Sequence, residues 1–266
     1  MSDFLQAFDA ALADLLGEGE QPVVVSSAMW PVLREMRRKD AGAVDEVLDC
    51  LQQRVAGRDL LMPAFTDGYG ANGVCDLDHT PGTTGVLNEC FRLRPGVTRS
   101  LSAFFSYAID GPSAGVVGAL QPEHAWGDGS LYDWMEQHNA RFLLLGAHPT
   151  HCSYLHRLEW LVQDVLPYRY CKPFSGTLIR GGQAFASTET LFVRCLQPAA
   201  INDFTTLMPL LEQAGMRQQV LRGVSLAVYD ARAVRDAVLP VLCRDPLRGL
   251  RNRADFEKGR CSHEHN

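Results

Sequence analysis

The sequence predicts an α/β fold: a single domain whose mixed, largely parallel central sheet is flanked by helices, with a smaller antiparallel portion in the C-terminal part. Three observations lead there. Short, wholly apolar runs recur at Val23-Val24-Val25, Leu60-Leu61-Met62 and Phe142 to Leu145, the mark of strands covered on both faces. Stretches with helical spacing separate the early runs, and strand–helix–strand alternation is how a parallel sheet is built. The last hundred residues instead hold strand-like runs at Thr177–Ile179, Thr190–Val193 and Ser225–Tyr229, which suit antiparallel pairing. With no internal repeat, low-complexity tract or linker, one domain over residues 1–250 is expected, followed by a polar tail over 251–266.

Each element has its own signature. Phe4, Leu5, Phe8, Ala11, Leu12, Leu15 and Leu16 follow a helical period that Gly17-Glu18-Gly19 ends. Pro22 to Val25 is a buried strand running into a Ser26-Ser27 turn, and helices follow over Trp30–Arg38 and Ala43–Val55. Asp59 to Met62 is a second strand, stopped by Pro63. The stretch from Phe65 to Pro81 is too long and too rich in Gly, Asp, Asn and Thr for a mere connector, and such loops often bind ligands. A helix is expected over Val86–Arg92, strands over Phe104–Ile109 and Arg141–Leu145, and a helix over Cys152–Val165. Helices over Ala200–Ala214 and Ala231–Leu242 complete the series, and the tail from Arg251, with Cys261, His263 and His265, is read as frayed.

Bulk properties remove several function classes. The 266 residues are 46% hydrophobic and 21% charged, and the formal net charge is −6. An acidic chain without a basic block lacks the electrostatic footprint of nucleic-acid binding. No run approaches the ~20 apolar residues needed to span a bilayer, and the N-terminus has no secretory pattern. A cytoplasmic protein is expected, with no nucleic-acid or membrane partner; self-association as a homodimer is left open. The eight cysteines include no Cys-x-x-Cys pair, so buried thiols rather than a disulfide framework are expected.

The densest reactive chemistry lies between Gly146 and Glu159, with His148, His151, Cys152, Ser153 and His156 in between. His156 and Glu159 are three apart on one helix, so they share a face. A carboxylate on one imidazole nitrogen fixes the tautomer and raises the basicity of the other, which is what a general base acting on an amine requires. The plainer alternative is a helix-surface ion pair. Two rivals use the same stretch: a Cys152–His156 pair for covalent acyl transfer, and zinc held by His148, His151, Cys152 and His156.

An ordered set of segments carries a resemblance. It comprises Val23 to Ser27, Asp59 to Thr66, Thr80-Pro81 with Gly85, Glu89 to Arg92, and Pro95 to Ser100 with Ser106. Leu143 to Gly146, Leu155 to Glu159 and Asp245-Pro246 complete it. With these the chain resembles the aminoglycoside N3-acetyltransferase family, antibiotic N-acetyltransferases distinct from the GNAT fold. The resemblance implies acetyl-CoA as acyl donor, no metal, and a small-molecule amine as acceptor. It places the catalytic pair on His156 and Glu159, and the coenzyme A side of the cleft at Ser26, Ser27, Arg99 and Ser100. Hydroxyls and a guanidinium suit pantetheine amides and a pyrophosphate. Asp67 and Glu123, with Asp76 and Asp78, are candidate partners for ammonium groups of the acceptor. Three places depart from the family pattern: Val25 stands where the family has histidine, Ser102-Ala103 where it has His-Pro, and Ser153 or Tyr154 where it has a threonine near the catalytic histidine. The acceptor expected is an aminoglycoside or amino sugar. The alternatives are a nucleotide-linked or surface-glycan amino sugar, or an inactive acyl-CoA-binding relative.

Overall fold

The computed structural model describes residues 3–38 and 40–257. In chain order the elements are α1 (Asp3–Leu16), β1 (Val23–Ser27), α2 (Met29–Met36), α3 (Ala41–Arg54), β2 (Leu60–Pro63), α4 (Tyr69–Asn72) and β3 (Val74–Asp76). Next come α5 (Val86–Arg92), β4 (Thr98–Arg99), β5 (Tyr107–Asp110), α6 (Ala114–Val117), α7 (Leu131–Gln137), β6 (Arg141–Leu145) and α8 (Tyr154–Leu161). The chain ends with β7 (Arg169–Arg180), β8 (Gln183–Arg194), α9 (Met208–Gln213), β9 (Arg217–Leu221), β10 (Val224–Asp230) and α10 (Ala231–Arg244).

A seven-stranded mixed sheet runs β4-β5-β2-β1-β6-β10-β9. Its centre is parallel, β1 lying between β2 and β6. Antiparallel strands extend it on both sides, β5 and β4 beyond β2, β10 and β9 beyond β6. Side chains alternate across a strand, so the apolar runs feed two cores at once. Val23 and Val25 of β1, with Leu143 and Leu145 of β6, pack against α1 and α3. Val24, Phe142 and Leu144 face the opposite layer, which holds α7, α8 and α10. That double burial is why these strands read as unbroken apolar runs.

A second sheet, β3-β7-β8, stands apart from the first. Its β7–β8 hairpin is in register from Arg169 opposite Arg194 to Arg180 opposite Gln183, much longer than the apolar runs indicated. The distal part of β8 is exposed, so little apolar patterning marks it. The expected loop over 65–81 contains α4 and β3, and β3 pairs with β7 in parallel.

The expected boundary at residue 250 moves outward. Asn252 accepts from the Ile201 amide and donates to the Ala199 carbonyl, Arg253 pairs with Asp245, and Phe256 is buried against Tyr168. Packed structure therefore reaches Phe256; Cys261, His263 and His265 lie outside the described residues. No helix among the described residues is long and apolar enough to cross a membrane.

Candidate active site

The parallel centre of the sheet aims its strand ends at one place. β6 stops at Leu145, and Gly146 follows with a φ of +66 that favours glycine, where a Cβ would run into the Ala28 carbonyl oxygen. The chain turns through residues 147–153 and enters α8, with Leu155, Leu158 and Trp160 buried. His156 and Glu159 sit one turn apart. The imidazole keeps 30% of its side chain exposed while the carboxylate is sealed at 1%.

That carboxylate is held on every side. His156 Nδ1 lies 2.6 Å from Glu159 Oε2, and the Arg169 guanidinium sits 2.9 Å from the same oxygen. Oε1 accepts from Tyr168 OH at 2.8 Å and from Asn202 Nδ2 at 3.0 Å. Burial alone would raise the carboxyl; the nearby Arg169 charge, then His156 and the hydrogen bonds, overcome it and hold the group down at about 2. Glu159 is therefore ionised at neutral pH. Arg169 also lies 3.1 Å from His156 Nδ1. That ring nitrogen must be protonated to donate to Oε2, so it has no lone pair for Arg169, whose role is to be the counter-charge.

In front of the imidazole lies a cavity of about 590 Å³. Phe105, Trp126, Phe192 and Phe204 supply aromatic walls, Arg169 and Arg194 cationic ones, and His151 a further imidazole. Trp126 meets the His156 ring edge to face at 6.0 Å and Phe204 approaches it at 5.1 Å. Ser153, one turn before His156, also lines the cavity, with its hydroxyl 2.9 Å from Tyr107 OH.

The model of the aminoglycoside 3-N-acetyltransferase family matches residues 10–242. The chain belongs to that family. N-acetyl transfer is therefore its reaction class. Solved structures of similar fold include AAC-IIIb in binary complex with CoASH, with a TM-score of 0.77 at 19% identity over 91% of this chain and 96% of that one. AAC-VIa bound to sisomicin gives 0.73 at 21%, over 91% and 97%. The YokD protein from Bacillus subtilis gives 0.71 at 16%, over 90% and 99%. No curated protein matches the chain by sequence.

The other residues expected from the family's pattern are placed unevenly. Ser26 and Ser27 end β1 half-buried, and Ser27 Oγ donates to Asn88 Oδ1 at 3.3 Å. Arg99 departs from the expected ligand contact: it is buried, and its guanidinium is spent on Ser106 Oγ and the carbonyls of Leu77, Thr80 and Ala64. Ser100 is buried too, its hydroxyl accepting from the Tyr107 amide. Both build the floor of the loop rather than face the cavity. Asp67 is exposed and does not line the His156 cavity, and Glu123 lines a separate recess of about 320 Å³ with Ser102 and Glu189. Asp76 serves a local turn, accepting from the amides of Asp78 and His79, and Asp78 accepts from the Gly181 amide at the β7–β8 turn. Val25 is fully buried among apolar neighbours.

The rival readings fare differently. Burial pushes the Cys152 thiol up to about 11, which leaves little thiolate for a covalent step. Three ligand atoms meet among the described residues only at Asp76, Asp78 and His79, not among His148, His151, Cys152 and His156. Sequence reasoning missed Arg169, Tyr168 and Asn202, which come from other elements with no local motif. Their only signal was a conserved-type chemistry requirement: a buried carboxylate needs a cation and donors.

Proposed function

We propose that this chain transfers an acetyl group from acetyl-CoA directly to an amine of an aminoglycoside or amino sugar, with His156 as general base and Glu159 as its orienting partner. The 2.6 Å Nδ1–Oε2 contact carries the reading. It protonates Nδ1 and leaves Nε2, on the cavity side, with the lone pair. The amine attacks the thioester carbonyl as Nε2 takes its proton; the C–N bond forms, the C–S bond breaks, and the proton returns to the departing sulfur. Glu159 stabilises the transient imidazolium. Ser153 is the hydroxyl in the cavity suited to the developing oxyanion. Ser26 and Ser27, half-buried at the end of β1, are proposed on the coenzyme A side, with Arg99 and Ser100 supporting it from behind. AAC-IIIb in complex with CoASH and AAC-VIa bound to sisomicin support acetyl-CoA and an aminoglycoside as the pair of substrates.

One observation favours a second reading of the acceptor. The residues lining the His156 cavity include two arginines, Arg194 and the Glu159-paired Arg169, and four aromatic rings, but no aspartate or glutamate. A polycation is better received by carboxylates, whereas a nucleotide-linked amino sugar offers one amine, a flat ring and phosphates that suit arginine. Retention of the full His156–Glu159–Arg169 arrangement speaks against an inactive acyl-CoA-binding relative. The test is coenzyme A thiol release from acetyl-CoA with sisomicin or a nucleotide-linked amino sugar as acceptor. His156→Ala is expected to abolish release on either acceptor while acetyl-CoA still binds; retained turnover removes the base assignment.

A further inference from the structure

Glu189 is a buried carboxylate that the transfer chemistry does not use. It lies on β8, five residues before the strand ends, and is 7% exposed. Its Oε1 accepts from Ser102 Oγ at 2.7 Å, and its Oε2 from the amides of Ala103 at 2.9 Å and Phe104 at 3.4 Å. Ser102 Oγ in turn accepts from the Phe105 amide at 2.8 Å. All of these donors are neutral, and burial pushes the carboxyl above its usual range. A carboxyl buried at that cost needs a use that an apolar side chain would not serve.

The loop it grips forms a wall of the catalytic cavity. Phe105 lines that cavity and packs on Trp126 at 4.6 Å, and Trp126 meets His156. The neighbouring residue, Thr190, holds the Trp126 side of the same wall, its carbonyl accepting from the Ala125 amide at 3.1 Å. Two consecutive residues of one strand thus grip both halves of the Phe105–Trp126 wall. A short carboxylate can take the Ser102 hydroxyl on one oxygen and two successive amides on the other, which no neutral side chain of that length does with acceptors alone.

We propose that Glu189 is a positioning residue for acyl transfer: by gathering the donors of Ser102, Ala103 and Phe104 it fixes Phe105 against Trp126 and so sets the shape of the cavity facing His156. This rests on the His156 reading above. A misplaced wall costs rate through geometry, and a shift of about 1 Å is enough for about a 10²-fold loss.

The experiment is a double-mutant cycle on Glu189→Ala and Phe105→Ala, read as kcat/KM for thiol release with acetyl-CoA and sisomicin, or with the first amine of a panel that gives release. Glu189→Ala is expected to lose about 10²-fold. The double variant should be no more than about 3-fold worse than the worse single variant, because coupled sites are non-additive. Glu189→Gln keeps one oxygen for the two amides and is expected to recover activity to within about 10-fold of the parent. Hydrogen exchange at Ala103 and Phe104 should quicken in the alanine variant and slow again in the glutamine one. Multiplying losses in the double variant, or a Glu189→Ala enzyme with parental kcat/KM, overturns the proposal. Should Glu189→Ala not fold, Ser102→Ala removes only the hydroxyl between Glu189 and the Phe105 amide and runs the same cycle; multiplying losses there overturn it equally. His156→Ala in the same assay separates the two ideas, since turnover retained there strikes the base and not the wall.

Discussion

Replacing Glu159 by glutamine keeps the shape of the side chain and removes one charge. Every atom around it is a donor: His156 Nδ1 and Arg169 on Oε2, Tyr168 OH and Asn202 Nδ2 on Oε1. A glutamine amide must turn its NH₂ toward one of these pairs. Facing His156, it donates to Nδ1 and moves the ring proton to Nε2, so the base presents a proton where it should present a lone pair. Facing Tyr168 and Asn202, it forces the Asn202 amide to flip, which breaks the 3.1 Å bond that Asn202 Oδ1 accepts from Arg169. In both cases Arg169, 7% exposed, loses its counter-charge. The wrong-tautomer outcome lowers kcat by about 10³- to 10⁴-fold.

Stability moves with it. Glu159 titrates at about 2 in the folded chain against an ordinary 4.5, and full burial leaves no solvent screening to discount. That gap is worth about 3 kcal/mol. Its sign is fixed by the direction: a depressed carboxyl contributes in full above pH 4.5 and loses its contribution as the pH falls toward 2. The glutamine variant should therefore melt about 6–12 °C lower at neutral pH, with the difference shrinking between pH 4.5 and 2. Thiol release and thermal melts measured on both proteins check this. A variant with activity within about 10-fold of the parent refutes the tautomer argument.

Two further substitutions separate the site from its surroundings. Cys152→Ala is expected to leave kcat/KM within about 3-fold of the parent, since burial keeps the thiol protonated; loss of activity together with an acylated Cys152 in the parent would restore the covalent route. Arg99→Met should lower stability in urea by about 3 kcal/mol or more, because it orphans buried carbonyls that the guanidinium now serves. The KM for acetyl-CoA should move less than stability does; an unchanged urea midpoint with a raised KM would make Arg99 a ligand contact after all.

The strands of the central sheet were legible because burial on both faces leaves nothing polar in Val23–Val25 or Phe142–Leu145. Their order was less so. β5 and β10 are apolar for the same reason yet run antiparallel to their neighbours, since direction is set by the connections and not by the strand's own composition. The β7–β8 hairpin was legible only in pieces: Leu178, Leu191 and Phe192 are buried, while Gln183 to Ser187 of β8 are largely exposed, so no continuous apolar pattern marks its length. At the site, the helical spacing of His156 and Glu159 was enough to place the pair on one face. Arg99 was legible as a charge but not as a buried one. Its four oxygen partners come from Ala64, Leu77, Thr80 and Ser106, positions that meet only once the chain is folded.

The same distinction governs the pair itself. Spacing brings His156 and Glu159 together, but a solvated pair of that kind would hold its geometry weakly. Arg169 at the base of β7, Tyr168 beside it and Asn202 from the segment after β8 convert it into a fixed device. With a neutral imidazole the ionised Glu159 and the Arg169 cation cancel, so the cavity floor carries no net charge until His156 takes a proton. Under the proposed transfer, a proton taken up by His156 would face the carboxylate at 2.6 Å and the guanidinium at 3.1 Å, so the attraction outweighs the repulsion. Helical spacing shows the first of these partners and not the second, because Arg169 comes from a different element.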